Sequence, residues 1–327
     1  MHELTIFKQN LPSIDIKLED KTQSLSYWFE LYFSTQVLGS PKETIGAKKK
    51  DIVKFLNYFQ NNIKTNNIDY WTTSVTKAFQ GFLLNVPYSA TTINRIFATL
   101  RHAANWIQNQ RPFLAGHPFT NIRDVAIDDP AWKGLTSIEI TRLKVGCDHR
   151  LMICKRANQN AYLETAVFYI LLHTGLREFE LIGLNIDQYH SRGFHNVIRK
   201  GRKVTRKVHL PQEAREVLDK YLEKRSDIQP NEPLLVTKNG NRLNPRDVQR
   251  ICNRIASQAS AQLSIEEKIR LTPHMLRHTF LKNVADSEGV HVAQALSGNI
   301  SMREIFRYTK PSHDEIESIS EKLAKKF

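Results

Sequence analysis

Apolar residues recur along the first third of the chain at the spacing of one helical face. In "KKDIVKFLNYFQNN" Ile52, Phe55, Leu56 and Phe59 fall at i, i+3, i+4 and i+7. "SVTKAFQGFLLNV" repeats the pattern with Val75, Phe79, Phe82, Leu83 and Val86, and "SATTINRIFATLRHAANWI" with Ile93, Ile96, Phe97, Leu100, Ala104 and Ile107. A shorter aromatic segment, "SLSYWFELYF", precedes them. These segments and their short connections predict a small helical bundle.

The stretch "NIRDVAIDDPAWKGL" then breaks the periodicity around Pro130 and Gly134 and reads as a linker. A helix restarts at Thr136, which with Glu139 has the spacing of a capping box. "AYLETAVFYILLHTGL" is apolar nearly all round, as a buried central helix must be, and Gly175 stops it. "NVIRKGRKVTRKVHLP" predicts two short strands around a basic turn. "EAREVLDKYLEKR" reads as a surface helix, and "NPRDVQRICNRIASQA" as one turning Val248, Ile251, Cys252 and Ile255 inward. The tail sets Ile316, Ile319, Leu323 and Phe327 at helical spacing, a stripe that needs a surface to dock on. The fold class expected is mainly α with a small β-sheet.

Charge changes this picture. Lys and Arg number 47 against 33 Asp and Glu, a net charge of +14, which favours a polyanionic partner. The polar face of the helix around Ile96 carries Thr92, Asn94, Arg95, Arg101 and His102. Solvent or a nucleic acid would suit that face equally. Cys147, Cys154 and Cys252 have neither disulfide nor zinc-ligand spacing and read as bystander thiols. No apolar run approaches the roughly 20 residues of a membrane span, and the first residues lack the apolar centre of a secretory leader. The expectation is a cytoplasmic protein with no membrane association.

Candidate chemistry gathers in "LTPHMLRHTF". Thr272 and Pro273 are a strong helix start, and His274 and Arg277, three apart, share a face in its first turns. A helix N-terminus with an imidazole and a guanidinium suits a phosphate; a basic surface turn is the plainer alternative. "HTGLREFELIGL" adds Arg177, with Glu180 three residues on to orient it. Lys200 sits in the hairpin turn, with Arg202 and Lys203 close by, and Tyr308 lies in the basic context "ISMREIFRYTK".

In this order the motifs resemble the tyrosine recombinases, the phage integrases and Xer-type enzymes. TGLREFEL supplies Arg177 and Glu180, the hairpin Lys200, HMLRH His274 and Arg277, and Tyr308 falls at the nucleophile's place. One position departs: "ALSGNIS" puts Asn299, nine residues before Tyr308, where the family has histidine or tryptophan. Asparagine can donate a hydrogen bond to a phosphate oxygen but carries no charge, so weakened transition-state binding is expected.

The resemblance implies strand exchange through a 3′-phosphotyrosine formed by Tyr308, without metal, cofactor or ATP. His274 would act as base or proton relay, Lys200 as general acid, and Arg177 and Arg277 as the phosphate clamp, with His278 in support. A DNA-binding relative with impaired catalysis and a type IB topoisomerase-like enzyme are the alternatives.

The organisation expected is an N-terminal extension over 1–20, a helical core-type DNA-binding domain over 21–125 and a linker over 126–136. A catalytic α+β domain over 137–310 and a tail helix over 311–327 for contact between protomers complete it. Lys48, Lys49, Arg95, Arg101, Arg202 and Lys203 are the further residues expected to face DNA. The partners implied are double-stranded DNA bearing specific recombination sites, three further copies in a tetramer with a dimer per site, and accessory DNA-bending proteins. The setting implied is the nucleoid.

Overall fold

A computed structural model describes residues 21–127, 134–154, 160–190, 192–199, 203–225, 228–298 and 313–324. The chain divides into two compact units, 1–129 and 130–327.

The first unit is helical: α1 (Leu25–Tyr32), α2 (Lys42–Ile63), α3 (Thr73–Leu84) and α4 (Ala90–Gln110). Ser24, Thr72 and Ser89 cap α1, α3 and α4 through their hydroxyls, each accepting a backbone N–H three residues on. The face predicted for α4 is buried throughout, from Ile93 to Ile107. The core is unusually aromatic. Trp71 lies 5.0 Å from Phe55 and 5.3 Å from Phe29 between ring centres, and its indole N–H donates to Thr76 at 3.1 Å. Two faces differ from the pattern. Phe82 is 45% exposed, because the buried stripe of α3 runs through Thr76, Phe79 and Leu83 and leaves Phe82 beside Tyr58 at the rim. Val86 lies beyond the helix end.

The second unit contains α5 (Ser137–Ile153), α6 (Ala161–Thr174), α7 (Glu178–Ile182), strands β1 (Tyr189–His190), β2 (Gly193–Ile198) and β3 (Val204–His209), α8 (Gln212–Leu222), α9 (Pro245–Ala259), α10 (Pro273–Glu288), α11 (Val290–Ser297) and α12 (His313–Ala324). The Thr136–Glu139 capping box opens α5. The predicted hairpin is present with an added edge strand, in antiparallel order β1-β2-β3. α6 is buried along nearly its whole length and packs on α5, α8, α9 and α10. α8 corrects the reading of a plain surface helix: Ala214, Leu218 and Tyr221, spaced by four and three, are buried against α6.

Charge is also buried in this core. Glu164 on α6 is 1% exposed and takes Arg254 of α9 at 2.7 Å and Arg150 of α5, so one carboxylate ties three helices. Cys147 and Cys252 are buried, and burial pushes both thiols up to about 12. On α12, Ile316, Ile319 and Leu323 are each about half exposed, and Phe327 lies outside the described residues.

Gly175 closes α6 in the left-handed conformation (φ +59°), its N–H donating to the Leu171 carbonyl. A Cβ there would fall 2.3 Å from Cδ1 of Phe280 on α10. Both strain and overlap oppose a side chain. Gly175→Ala is expected to destabilise the protein by about 2–4 kcal/mol, measured by urea denaturation.

Candidate active site

The site begins at the start of α10. The Thr272 hydroxyl accepts the Met275 N–H at 3.1 Å and Pro273 occupies the first helical position. This fixes the first turn and sends His274, Arg277 and His278 to one side. His274 keeps access to solvent although part of its ring is covered, whereas Arg277 is 2% exposed. The Arg277 guanidinium is held by two backbone carbonyls, Gly175 at 2.5 Å and Ser297 at 3.0 Å. It therefore bridges the ends of α6 and α11.

Arg177 enters from the turn after Gly175. Its backbone N–H donates to Glu180 Oε2 and its Nη1 to Glu180 Oε1, both at 3.0 Å, so one carboxylate caps α7 and orients the arginine expected beside it. About a quarter of the Arg177 side chain remains exposed.

Arg277 follows His274 by one turn of α10 and holds the Gly175 carbonyl, two residues before Arg177, so the three groups are neighbours. Partial burial lowers the His274 pKa, and the positive charges of Arg277 and Arg177 lower it further. His278 stands edge-on to His274, ring centres 4.1 Å apart. Burial, then His274 and Arg277, bring His278 down to about 4. Both imidazoles are thus held neutral near pH 7. A neutral imidazole flanked by two guanidiniums can accept a proton from an incoming hydroxyl beside a bound anion.

The pattern missed Arg199. It is 5% exposed and donates from Nη1 to Glu180 Oε2 at 2.7 Å, from Nε to Thr205 at 3.1 Å and from Nη2 to the Leu296 carbonyl at 3.5 Å. Glu180 therefore serves two arginines. Burial raises its carboxyl, but the Arg177 N–H and the two guanidiniums outweigh that and hold it below the usual carboxylate range. A signal existed: Val197 and Arg199 lie two apart, on the same face at the end of β2, so a buried Val197 turns Arg199 inward, where it needs an acid.

Lys200, Arg202, Asn299 and Tyr308 lie outside the described residues. Lys203 is exposed at the start of β3, its carbonyl accepting the Arg199 N–H at 2.6 Å. In the helical unit Arg95 pairs with buried Asp51 at 2.5 Å and Arg101 with Asp124 at 2.9 Å. Lys48 donates to the Tyr32 hydroxyl at 3.3 Å, which also meets His102 Nδ1 at 2.9 Å, and Lys49 is half-buried on α2.

The chain is similar to known proteins in sequence and in fold. Residues 148–315 match the family model described as the phage integrase family. The chain is 26% identical over 275 residues to tyrosine recombinase XerC of Pseudomonas fluorescens, covering 81% of this chain and 84% of that protein. It is 26% identical over 281 residues to tyrosine recombinase XerD of Oceanobacillus iheyensis, covering 83% and 88%. Among solved structures the fold is shared with the Tn1549 transposon integrase in complex with circular intermediate DNA (TM-score 0.69, 19% identity, 91% of this chain and 99% of that one). It is shared also with the XerH recombinase bound to its palindromic difH substrate (TM-score 0.69, 18% identity, 90% and 82%).

The histidine pair sets an acid sensitivity. A histidine whose folded pKa is depressed binds its proton more readily when unfolded, so its contribution is full above the unfolded value of 6.5 and declines as pH falls toward about 4. His278→Gln is expected to flatten the fall in stability across that window, read as the urea midpoint against pH. An unchanged slope would show that His278 is not the group responsible.

Proposed function

The chain belongs to the phage integrase family, the site-specific tyrosine recombinases, and from that membership we propose that it cuts and rejoins DNA through a 3′-phosphotyrosine on Tyr308. The observation that carries the reading is geometric: Arg277, one turn after His274 at the capped start of α10, holds the Gly175 carbonyl two residues before Arg177.

A phosphodiester presented there meets Arg177, whose exposed edge can reach its non-bridging oxygens while Glu180 fixes the guanidinium plane. Arg277 lies beneath, fixed by two carbonyls, and adds positive potential where solvent screens it little. As Tyr308 attacks phosphorus, its phenolic proton passes to His274, which partial burial and then the two arginines keep unprotonated and ready to accept it. The bond to the 5′-oxygen breaks, and Lys200 returns a proton to that oxygen. Attack by a 5′-hydroxyl of another strand reverses these transfers and frees Tyr308. One phosphodiester replaces another, so no nucleotide is consumed. Asn299 supplies a neutral hydrogen-bond donor where relatives place histidine or tryptophan, which lowers the rate without changing the steps.

The DNA bears specific recombination sites, and four copies assemble on a pair of them, two per site, with accessory DNA-bending proteins setting direction. The exposed apolar stripe of α12 serves contact between protomers. The net charge of +14 suits phosphate contacts along the duplex, as at Lys48, Lys49 and Lys203, with Arg202 beside them in the sequence. Arg95 and Arg101, already paired with carboxylates, add less charge.

The test uses DNA selected for binding to the protein, nicked beside the cleavage point so that the released flank diffuses away. Wild-type protein is expected to accumulate a denaturant-stable adduct on the 3′-phosphate, and Tyr308→Phe none. Absence of the adduct with wild type, or its survival in Tyr308→Phe, overturns the reading. Relaxation of supercoils with no recombinant product would assign a topoisomerase instead.

A further inference from the structure

α11 ends without a basic residue in its last turn. A helix terminus leaves carbonyls without helical partners, and cations stabilise them. Here the two cations come from elsewhere. Arg199, following β2, donates to the Leu296 carbonyl, and Arg277, on α10, donates to the Ser297 carbonyl. Gly298 follows in the left-handed conformation (φ +64°), and a Cβ there would stand 3.1 Å from Arg199 Nε. Arg199 is thus packed flush against the residue that precedes Asn299.

The same guanidinium reaches in the opposite direction to Glu180 Oε2, while Glu180 Oε1 holds Arg177. Its Nε is taken by Thr205 across the hairpin. With carboxylate, hydroxyl and carbonyl each on a different donor, Arg199 is fully braced and 5% exposed. It does not face solvent. It connects Arg177 through Glu180, the start of β3 at Thr205 and the end of α11 through one plane.

We propose that Arg199 is a positioning residue for strand cleavage, fastening the C-terminal end of α11 to the Glu180–Arg177 pair so that the segment carrying Asn299 and Tyr308 leaves α11 from a fixed point. The assignment rests on the recombinase reading for its catalytic consequence, but the fastening itself is independent of it. Lysine cannot substitute fully, since one ammonium on a flexible stem lacks the planar fork that spans Glu180, Thr205 and Leu296.

Two measurements on the full-length protein test it. Amide hydrogen exchange follows residues 290–298, and single-turnover adduct formation is measured alongside DNA affinity. Arg199→Met is expected to speed exchange in 290–298 while α6 stays protected. It should slow adduct formation at least about tenfold with affinity changed less than about threefold, the pattern of a displaced site rather than a lost binding surface. Arg199→Lys is expected to fall between Met and wild type in both readouts, and it decides the question where Arg199→Met fails to fold. Unchanged exchange in 290–298, adduct formation within about twofold of wild type, or parallel losses of rate and affinity overturn the proposal. If wild type forms no adduct, the recombinase reading fails and the exchange measurement alone judges the fastening.

Discussion

Burial of two guanidiniums is the constraint on which the site is built. An arginine removed from water is tolerated only when its donors meet acceptors, and an unpartnered buried charge is costly. Arg277 meets this with the carbonyls of Gly175 and Ser297; Arg199 meets it with Glu180, Thr205 and the Leu296 carbonyl. These acceptors come from four separate parts of the chain, the neighbouring Leu296 and Ser297 carbonyls sharing the end of α11. Satisfying the two charges therefore requires the ends of α6 and α11, the start of α7 and the hairpin base to be in place together. The acceptors are mostly backbone, which gives fixed directions that side chains on loops would not.

The same charges set proton affinities. Glu180 stays ionised despite burial because three donors point at it. The imidazoles of His274 and His278 stay neutral because their rings are partly buried and because Arg277 stands beside both. Arrangement of fixed cations thus separates one group that must hold its charge from two that must not acquire one. The hydrophobic core takes no direct part, yet Glu164 with Arg150 and Arg254 applies the same rule at its edge, joining α5, α6 and α9.

Much of this was legible from local pattern. The α4 face, the Thr136 capping box, the Thr272–Pro273 start, the Arg177–Glu180 pair and the hairpin are short-range features, and short-range spacing determines them. What escaped were properties set by distant partners. Arg199 gains its meaning from Glu180, 19 residues earlier, and from Leu296, 97 residues later. The burial of Arg277 depends on where α6 and α11 end. The inward face of α8 was obscured by its many charged residues, although Ala214, Leu218 and Tyr221 keep helical spacing. Phe82 shows the converse: an aromatic residue at an adjacent angle was counted inward when the rim already shelters one side of its ring.

Gly175 carries a consequence for how such a chain can change over time. Its carbonyl receives Arg277, and Phe280 rests where a side chain would be. One tie of α10 to the end of α6 is thus made to main chain, beside the contact of the Phe280 ring with Gly175. Apolar residues along α6 can be exchanged for others of similar volume without carrying Arg277 away from its carbonyl. A lineage can therefore vary apolar residues along α6 while the acceptor of Arg277, being main chain, is present whatever side chains surround it.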